Sequence, residues 1–535
     1  MNRITLLAPT PPDLSAFGVR SLSAFLRAAG LATRVVFLPG AMGRLRPDGS
    51  FAYAYPAQDV AAVQALCAGS DLVGISVMTP FFDRAVQLSA AVRQGGLPVV
   101  WGGVHATLRP AEALGHADFV CVGEGEEALA ELVRQRGSSG DARALPAGIY
   151  DRAGAAALAP ADFVPAPLTA DLDRLPPFDF SCEEHYLIAP GRDARPLSRG
   201  LMERLLPVVP GPRGRLRRVY RTMADRGCPH HCAYCNVPSV KALYAADPAP
   251  FFRHRSPQHV IAELETACRR FPSVEAVQFF DDTFFAKPFS WFEAFADLYA
   301  KRVGLPFYCQ ASPATLDARK LDLLLDVGLC FVEMGVQTGS EKLRRLFGRT
   351  ESNQRIEECG AMIAARQARL LPPVYHVIID APWETHDDLL ETVRLLARLP
   401  KPYGLAVSSL VFFPGTRLHD RAVAEGLLRD ETAQVYRRPF YVPPHRTYAG
   451  FLLYLLSFRN FPAPWIRLLL QPKVVAWFGR VNPVPLYRLA YRLGEALRFV
   501  GKGVGAVARG EWRRIATWLR ARLRGEPGVR GRLGA

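Results

Sequence analysis

Residues 226–238 read RGCPHHCAYCNVP. Three cysteines, Cys228, Cys232 and Cys235, form a C-x3-C-x2-C array, with Tyr234 directly before the third. A structural zinc site takes four ligands and usually pairs two C-x2-C arms or adds distant histidines. The next cysteine here, Cys268, stands alone in a helical pattern, HVIAELETACRRF at 259–271. Three thiolates on one short loop instead suit a [4Fe–4S] cluster with one iron left open to a chelating ligand. His230 and His231, inside the array, could complete a zinc site, so zinc stands as the competing reading of these residues.

Downstream, AVQFFDDTF (276–284), FYCQASPATL (307–316), CFVEMGVQTGSEKL (330–343), VYHVIIDAPWET (374–385) and GLAVSSLVFFPGTRL (404–418) read as strands. Helical stretches such as ARKLDLLLDVG (318–328) and DDLLETVRLLARL (387–399) separate them. This alternation predicts a βα barrel whose strand ends share one rim.

Upstream, the short apolar runs are ITLL (4–7), RVVF (34–37), LVGIS (72–76), PVVWGG (98–103) and DFVCVG (118–123). Between them lie helical patterns such as SLSAFLRAAG (21–30), DVAAVQALC (59–67) and FFDRAVQLSAAVR (81–93). They predict βαβ units and a parallel sheet with a ligand crevice at its carboxyl ends. The loops there carry Pro9–Asp13, Ser76–Pro80, Gly102–His105 and Gly123–Glu126. Between the two patterns, from Arg136 to about Arg226, the periodicity degrades into Gly-, Ala- and Pro-rich stretches that read as a connector.

At 535 residues the chain is too long for one core. Ten cysteines without regular pairing are too few for a disulfide scaffold. The start MNRITLLAPTPPD lacks an apolar signal region, which gives a cytoplasmic, reducing expectation. Of the net charge of +16, most sits from Arg467 onward, where fifteen Lys or Arg face three acids. The remainder is nearly balanced, which argues against a whole-surface nucleic-acid binder.

The array with an aromatic before its third cysteine resembles the signature of the radical SAM superfamily. The GGVHATLRPAEAL and DFVCVGEGEEAL stretches ahead of it resemble the cobalamin-binding domain that precedes many of these enzymes. The resemblance implies a Rossmann-like doubly wound parallel sheet at 1–136, a connector at 137–215 and a partial (β/α)6 barrel at 216–430. A helical basic region follows at 431–535. It also implies three cofactors: a [4Fe–4S] cluster on Cys228, Cys232 and Cys235, S-adenosylmethionine (SAM) chelating the open iron, and cobalamin.

By the same likeness Tyr234, Asp281, Asp282, Glu333, Gln337 and Ser340 are SAM candidates. Ser76, Gly102, Gly103, His105, Gly123 and Glu124 are cobalamin candidates. Many relatives have Glu-Ser where this chain has Gln337-Thr338, so a hydrogen-bonding contact replaces a charged one. Asp380 and Trp383 stand in IIDAPWET where the family often has glycines, and Asp380 is a candidate for substrate contact. Cobalamin domains that ligate cobalt from below carry Asp-x-His-x-x-Gly after the first strand. Here that loop reads APTPPDLSAFG (8–18) and has no histidine. His105 lies on another loop, where a surface or backbone-bonded histidine is the plainer reading.

The implied activity is cobalamin-dependent methyl transfer to an unactivated carbon, with a cobalamin-assisted rearrangement, ring formation or oxidation as its enzymatic rival. A zinc-holding interaction protein is the rival of another class. Expected partners are a small-molecule or lipid-like substrate and an electron donor such as flavodoxin or ferredoxin, with no nucleic acid. The tail, including VPLYRLAYRLGEALRFVGKGV (484–504) and EWRRIATWLRARLRG (511–525), mixes aromatics, leucines and arginines at helical spacing. It fits either a helical cap on the barrel or an anionic membrane surface, with the protein peripheral on the inner face.

Overall fold

A computed structural model describes residues 2–9, 15–38, 44–45, 51–52, 54–137, 144–189, 193–212, 215–438 and 447–508. The first sheet contains β1 (Arg3–Ala8), β2 (Ala32–Phe37), β3 (Leu72–Ser76), β4 (Val99–Gly102), β5 (Phe119–Cys121), β6 (Ile149–Asp151), β7 (His185–Leu187) and β8 (Arg195–Pro196). Their order is β8-β7-β2-β1-β3-β4-β5-β6. The central five are parallel in order 2-1-3-4-5, with the switch point between β1 and β3.

Alternation along each strand explains why helices cover both faces. Ile4, Leu6 and Val35 pack with Val19, Leu26, Leu129 and Val133 of the helices Phe17–Ala28 and Glu126–Arg136. Leu7, Val36, Val73 and Ile75 pack on the opposite side with Val63, Leu88 and Val92 of Ala57–Cys67 and Phe82–Gln94. The stretch read as a connector supplies β6, β7 and β8 to this sheet.

The second sheet contains β9 (Val208–Pro210), β10 (Leu216–Thr222), β11 (Ala276–Phe279), β12 (Phe307–Ala311), β13 (Leu329–Gln337), β14 (Val374–Ile379) and β15 (Gly404–Ser409), in that spatial order. β9 is antiparallel; β10 to β15 are parallel and curl into an open half-barrel. Helices 257–270, 318–326, 353–364 and 386–398 begin at Ser256, Asp317, Ser352 and Thr385, whose side chains accept a backbone N–H of the first turn. Such caps contribute about 1 kcal/mol each.

Period-2 alternation also sorts this sheet. Val277, Phe279, Phe307, Val332 and Met334 face the surrounding helices. Val219, Ala276, Tyr308 and Phe331 make a separate apolar plug toward the amino ends of the strands. Two residues further along those strands stand Arg221, Gln278, Gln310 and Glu333, so the lumen turns polar toward the carboxyl rim. Arg221 Nε donates to Gln278 Oε1 at 2.9 Å.

After the barrel, among the described residues, come the helices Tyr448–Leu456, Ala463–Leu469, Pro472–Val481 and Val484–Ala508. Tyr448 stacks on Phe478 with ring centroids 4.5 Å apart. Lys401 Nζ ties the first of these helices to the barrel by donating to Leu456 O (2.7 Å) and Phe458 O (3.0 Å). No described helix is long and apolar enough to cross a membrane.

Candidate functional site

A cavity of about 290 Å³ lies between the carboxyl ends of the first sheet and the start of the barrel. Its first wall includes Gly18, Gly74, Ser76, Gly102, Gly103, Gly123 and Glu124. Its second includes Met223, Asp225, Arg226, Arg255 and His259. The glycines are there for close approach. Gly103 has φ +92°, and a Cβ on it would come within 2.8 Å of Val77 O; one on Gly123 would strike the Tyr244 hydroxyl.

Charged bonds close the seam between the two walls. Glu124 takes Arg253 Nη2 at 2.7 Å and Arg226 Nη1 at 3.2 Å, and accepts the N–H of Thr169. Burial alone would raise its carboxyl, but Arg253 and Arg226 hold it below the usual range. Arg226 also reaches Glu126 (2.5 Å) and Ser21 Oγ (2.9 Å). On another side Arg437 pairs with Asp83 at 2.6 Å, and Arg109 with Glu431 at 2.8 Å. Glu124 therefore lines the cavity while its charge is spent on the seam.

Two residues beyond Arg226 the cysteine loop begins. Backbone bonds fix it: Ala233 N donates to Phe347 O (2.8 Å) and Leu418 N to Ala233 O (3.1 Å). Tyr234 packs edge-on against Phe347, and its hydroxyl accepts from Arg349 Nη1 at 3.3 Å. That same nitrogen lies 3.9 Å from Cys232 Sγ. Cys235 caps the helix Asn236–Leu243, its sulfur accepting from Val237 N at 3.5 Å. The three cysteines are half-buried and none is in a disulfide. Burial pushes the Cys228 thiol up to about 12 and that of Cys235 to about 11, so iron must displace protons to bind there.

Among the described residues, no three His, Cys, Asp or Glu side chains converge on a single ion. A cubane takes each thiolate on a different iron, which this three-thiol loop fits.

Around the rim the expected residues divide. Asp282 faces the opening beside the cysteine loop; desolvation, then the adjacent Asp281 charge, push its carboxyl to about 6. Glu333 lies 3.0 Å from His376 Nε2 in the lumen. Gln337 has φ +65° and Asp380 φ +62°, a left-handed backbone that non-glycine residues seldom adopt and that re-aims strand ends. Asp380 accepts from Ser409 Oγ at 2.6 Å. Trp383 points away to Glu425, at 2.6 Å.

Three of the expected residues lie back from the rim and the cavity wall. Asp281 is fully buried: Oδ1 accepts from Ala224 N (2.8 Å) and faces Lys287 Nζ at 3.6 Å. Ser340 is also fully buried; it caps the helix Glu341–Leu346 and donates to Asp388 at 2.6 Å. His105 is 1% exposed, packed on Phe82 and Tyr436 and bonded to Thr79 Oγ1 at 3.2 Å, and it is absent from the cavity wall. Burial, then Arg109, lower its ring to about 4 and keep it neutral. The histidine that does line the cavity is His259, whose Nδ1 accepts from Arg255 Nε at 2.9 Å. Of the loop Pro9–Asp13, residues 10–13 lie outside the described residues.

Sequence reading missed Arg349, Arg226 and Arg253, the cations that hold the cysteine loop and the seam. Arg226 adjoins the array and was the readable one; Arg349 and Arg253 carry no periodic cue.

With this geometry in view, the B12 binding domain family matches residues 4–133, and the Radical SAM superfamily matches residues 225–396. The fold is similar to that of TsrM from Kitasatospora setae, a radical S-adenosylmethionine methyltransferase solved with tryptophan substrate and a SAM analogue. The identity is 16% and the TM-score 0.58, over 80% of this chain and 77% of that one. It is similar also to OxsB, a cobalamin-dependent S-adenosylmethionine radical enzyme solved with aqua-cobalamin and SAM, at 14% identity and TM-score 0.59, over 84% of this chain and 65% of that one. A stretch of 63 residues is 38% identical to the bacteriochlorophyllide d C-8(2)-methyltransferase of Chlorobaculum tepidum, covering 12% of this chain and 14% of that protein. The first domain type takes a cobalamin; the second takes a [4Fe–4S] cluster and SAM. In one polypeptide, then, the chain carries a B12-binding domain followed by a radical SAM domain.

Proposed function

We propose that the protein is a cobalamin-dependent methyltransferase acting on an unactivated carbon of an amphipathic, lipid-like small molecule. One observation carries the reading. The cavity at the sheet's carboxyl ends is walled by Met223, Asp225 and Arg226, the residues that lead directly into the cysteine loop. A ligand held by the first domain thus meets the mouth of the barrel.

When bound, the cluster and SAM supply a carbon-centred radical and cobalamin carries the methyl group. The chain's own work is to hold, orient and exclude water. Cys228, Cys232 and Cys235 would ligate iron, with Tyr234 and Arg349 fixing the loop. Asp282, close to Cys228 and Cys235, would offer an acceptor to a group held there. Ser76, Gly102, Gly103 and Gly123 leave room for a flat ring, and the Glu124 seam closes the edge. Gln310, Glu333 and His376 present the polar groups that would orient a substrate in the lumen. Electrons would come from a flavodoxin or ferredoxin.

The test is substrate-free. Reconstituted protein, cobalamin, methyl-labelled SAM and a reductant should move label onto cobalamin and also release 5′-deoxyadenosine. Deoxyadenosine without label on cobalamin would leave the rearrangement or oxidation reading in its place.

Two further outcomes are expected. Bound cob(II)alamin should show no histidine nitrogen splitting in its paramagnetic resonance spectrum, and His105→Ala should leave that spectrum unchanged. Splitting that vanishes in His259→Ala would refute this. Arg349→Met removes a cation beside Cys232, and so should make the cluster's midpoint potential more negative. A screened charge worth about 1 kcal/mol gives roughly 40 mV for one electron. An unchanged potential would show that Arg349 only packs.

A further inference from the structure

We infer that the helix Val484–Ala508 docks the protein peripherally on an anionic lipid bilayer through one exposed apolar stripe. Leu486, Leu489, Leu493, Leu497, Val500 and Val504 recur every three or four residues and are each between 53% and 70% exposed. Trp465 (61%) and Trp477 (56%) on the two preceding helices are exposed as well. An exposed apolar stripe of this length marks an interaction site.

The helix cannot turn this stripe inward. Its opposite face is locked on the helix Tyr448–Leu456. The Tyr454 hydroxyl lies 3.2 Å from both Tyr491 O and Glu495 Oε1. Arg498 Nη2 donates to Ser457 Oγ at 2.5 Å, and a Cβ on Gly494 would meet the Tyr454 hydroxyl.

Charge selects the occupant. Residues 459–508 hold eight cations, Arg459, Arg467, Lys473, Arg480, Arg488, Arg492, Arg498 and Lys502, against the single acid Glu495. That acid is used inside, on Tyr454 and Arg498. The spacing would also suit a second copy of the helix. A coiled coil, however, wants opposite charges flanking its seam. Here the exposed Arg488 and Arg492 would meet their own kind. Anionic headgroups satisfy the arginines while the leucines enter the acyl boundary.

The test uses full-length protein and vesicles of equimolar phosphatidylglycerol and phosphatidylcholine, with phosphatidylcholine alone as comparison. Co-sedimentation should be strong with the first and weak with the second, and high salt should weaken it without full release. Leu493→Glu with Leu497→Glu, both at exposed positions, should lower binding about tenfold. Arg488→Glu with Arg492→Glu should lower it comparably, whereas Arg345→Glu on the barrel surface should not. Failure of the unaltered protein to bind anionic vesicles overturns the inference. So does a double-Glu variant that binds as well as the parent, or a dimer in the ultracentrifuge that the leucine changes dissolve. None of these readouts needs methyl transfer, so this inference and the proposed function fail separately.

Discussion

Replacing any one of Cys228, Cys232 or Cys235 by alanine should take reductive SAM cleavage to background. Two thiolates cannot hold a cubane that three hold with one iron free. The loss would be specific to the cluster, because backbone bonds anchor the loop independently of the sulfurs, from Ala233 N to Phe347 O and from Leu418 N to Ala233 O. Cys268→Ala, on the outer helix Pro257–Arg270, should leave cleavage intact. The measurements are iron and sulfide content after anaerobic reconstitution, about one cluster per chain in the parent, and the yield of 5′-deoxyadenosine. Stoichiometric zinc without iron, or a Cys→Ala variant that still cleaves SAM, would end the assignment.

The second large effect lies beneath the site. Lys287 is wholly buried, 2.5 Å from Asp225 and 3.6 Å from Asp281, with the rings of Phe284 and Trp291 around it. Two acids share one cation, and Asp225 also lines the cavity. Lys287→Met keeps the bulk and removes the charge, leaving Asp225 and Asp281 without their shared cation in apolar surroundings. Breaking a buried pair in this way costs about 3–5 kcal/mol, a large part of a typical stability of about 5–15 kcal/mol. Denaturant midpoints should fall accordingly, and Asp225→Asn added to Lys287→Met should restore part of the loss.

The pH dependence has a definite sign. Burial, then Asp281, holds the Asp225 carboxyl well above the carboxylate range. A group raised on folding favours the folded state at low pH and loses that contribution as pH rises. Lys287→Met should therefore be less destabilised near about pH 5 than near about pH 8. Stability within about 0.5 kcal/mol of the parent at both values would mean the acids are hydrated or protonated without it.

Much of this architecture was legible because both domains write their strands as short apolar runs. All five upstream runs and all five downstream runs became strands. The first barrel strand, LRRVYRT at 216–222, was hidden by its own chemistry. Its arginines interrupt the apolar pattern because one, Arg221, serves the polar lumen. The weak edge strands at 185–187 and 195–196 were hidden for a different reason: they are too short for periodicity to register.

At the site, the cysteine spacing spoke through covalent proximity. The rim did not, because Asp281 and Ser340 sit in loop motifs that also serve as structural bonds. Only tertiary contacts reveal that Lys287 and Asp388 claim them. The helical pattern expected at 511–525 lies outside the described residues.

The edge strands β7 and β8 bear on whether the first domain can be moved elsewhere as a unit. The family match ends at Val133, yet β2 is completed only by residues 185–187. Asp179, from the same later stretch, accepts from Ser23 Oγ at 2.5 Å and lies 3.0 Å from Arg27 and 3.1 Å from His185. A fragment cut at residue 136 would bare the edge of β2 and orphan a buried cluster of polar groups. The portable unit is therefore longer than its sequence signature. A graft or gene fusion that respects the signature alone would carry over an unfinished sheet, inviting strand-edge aggregation.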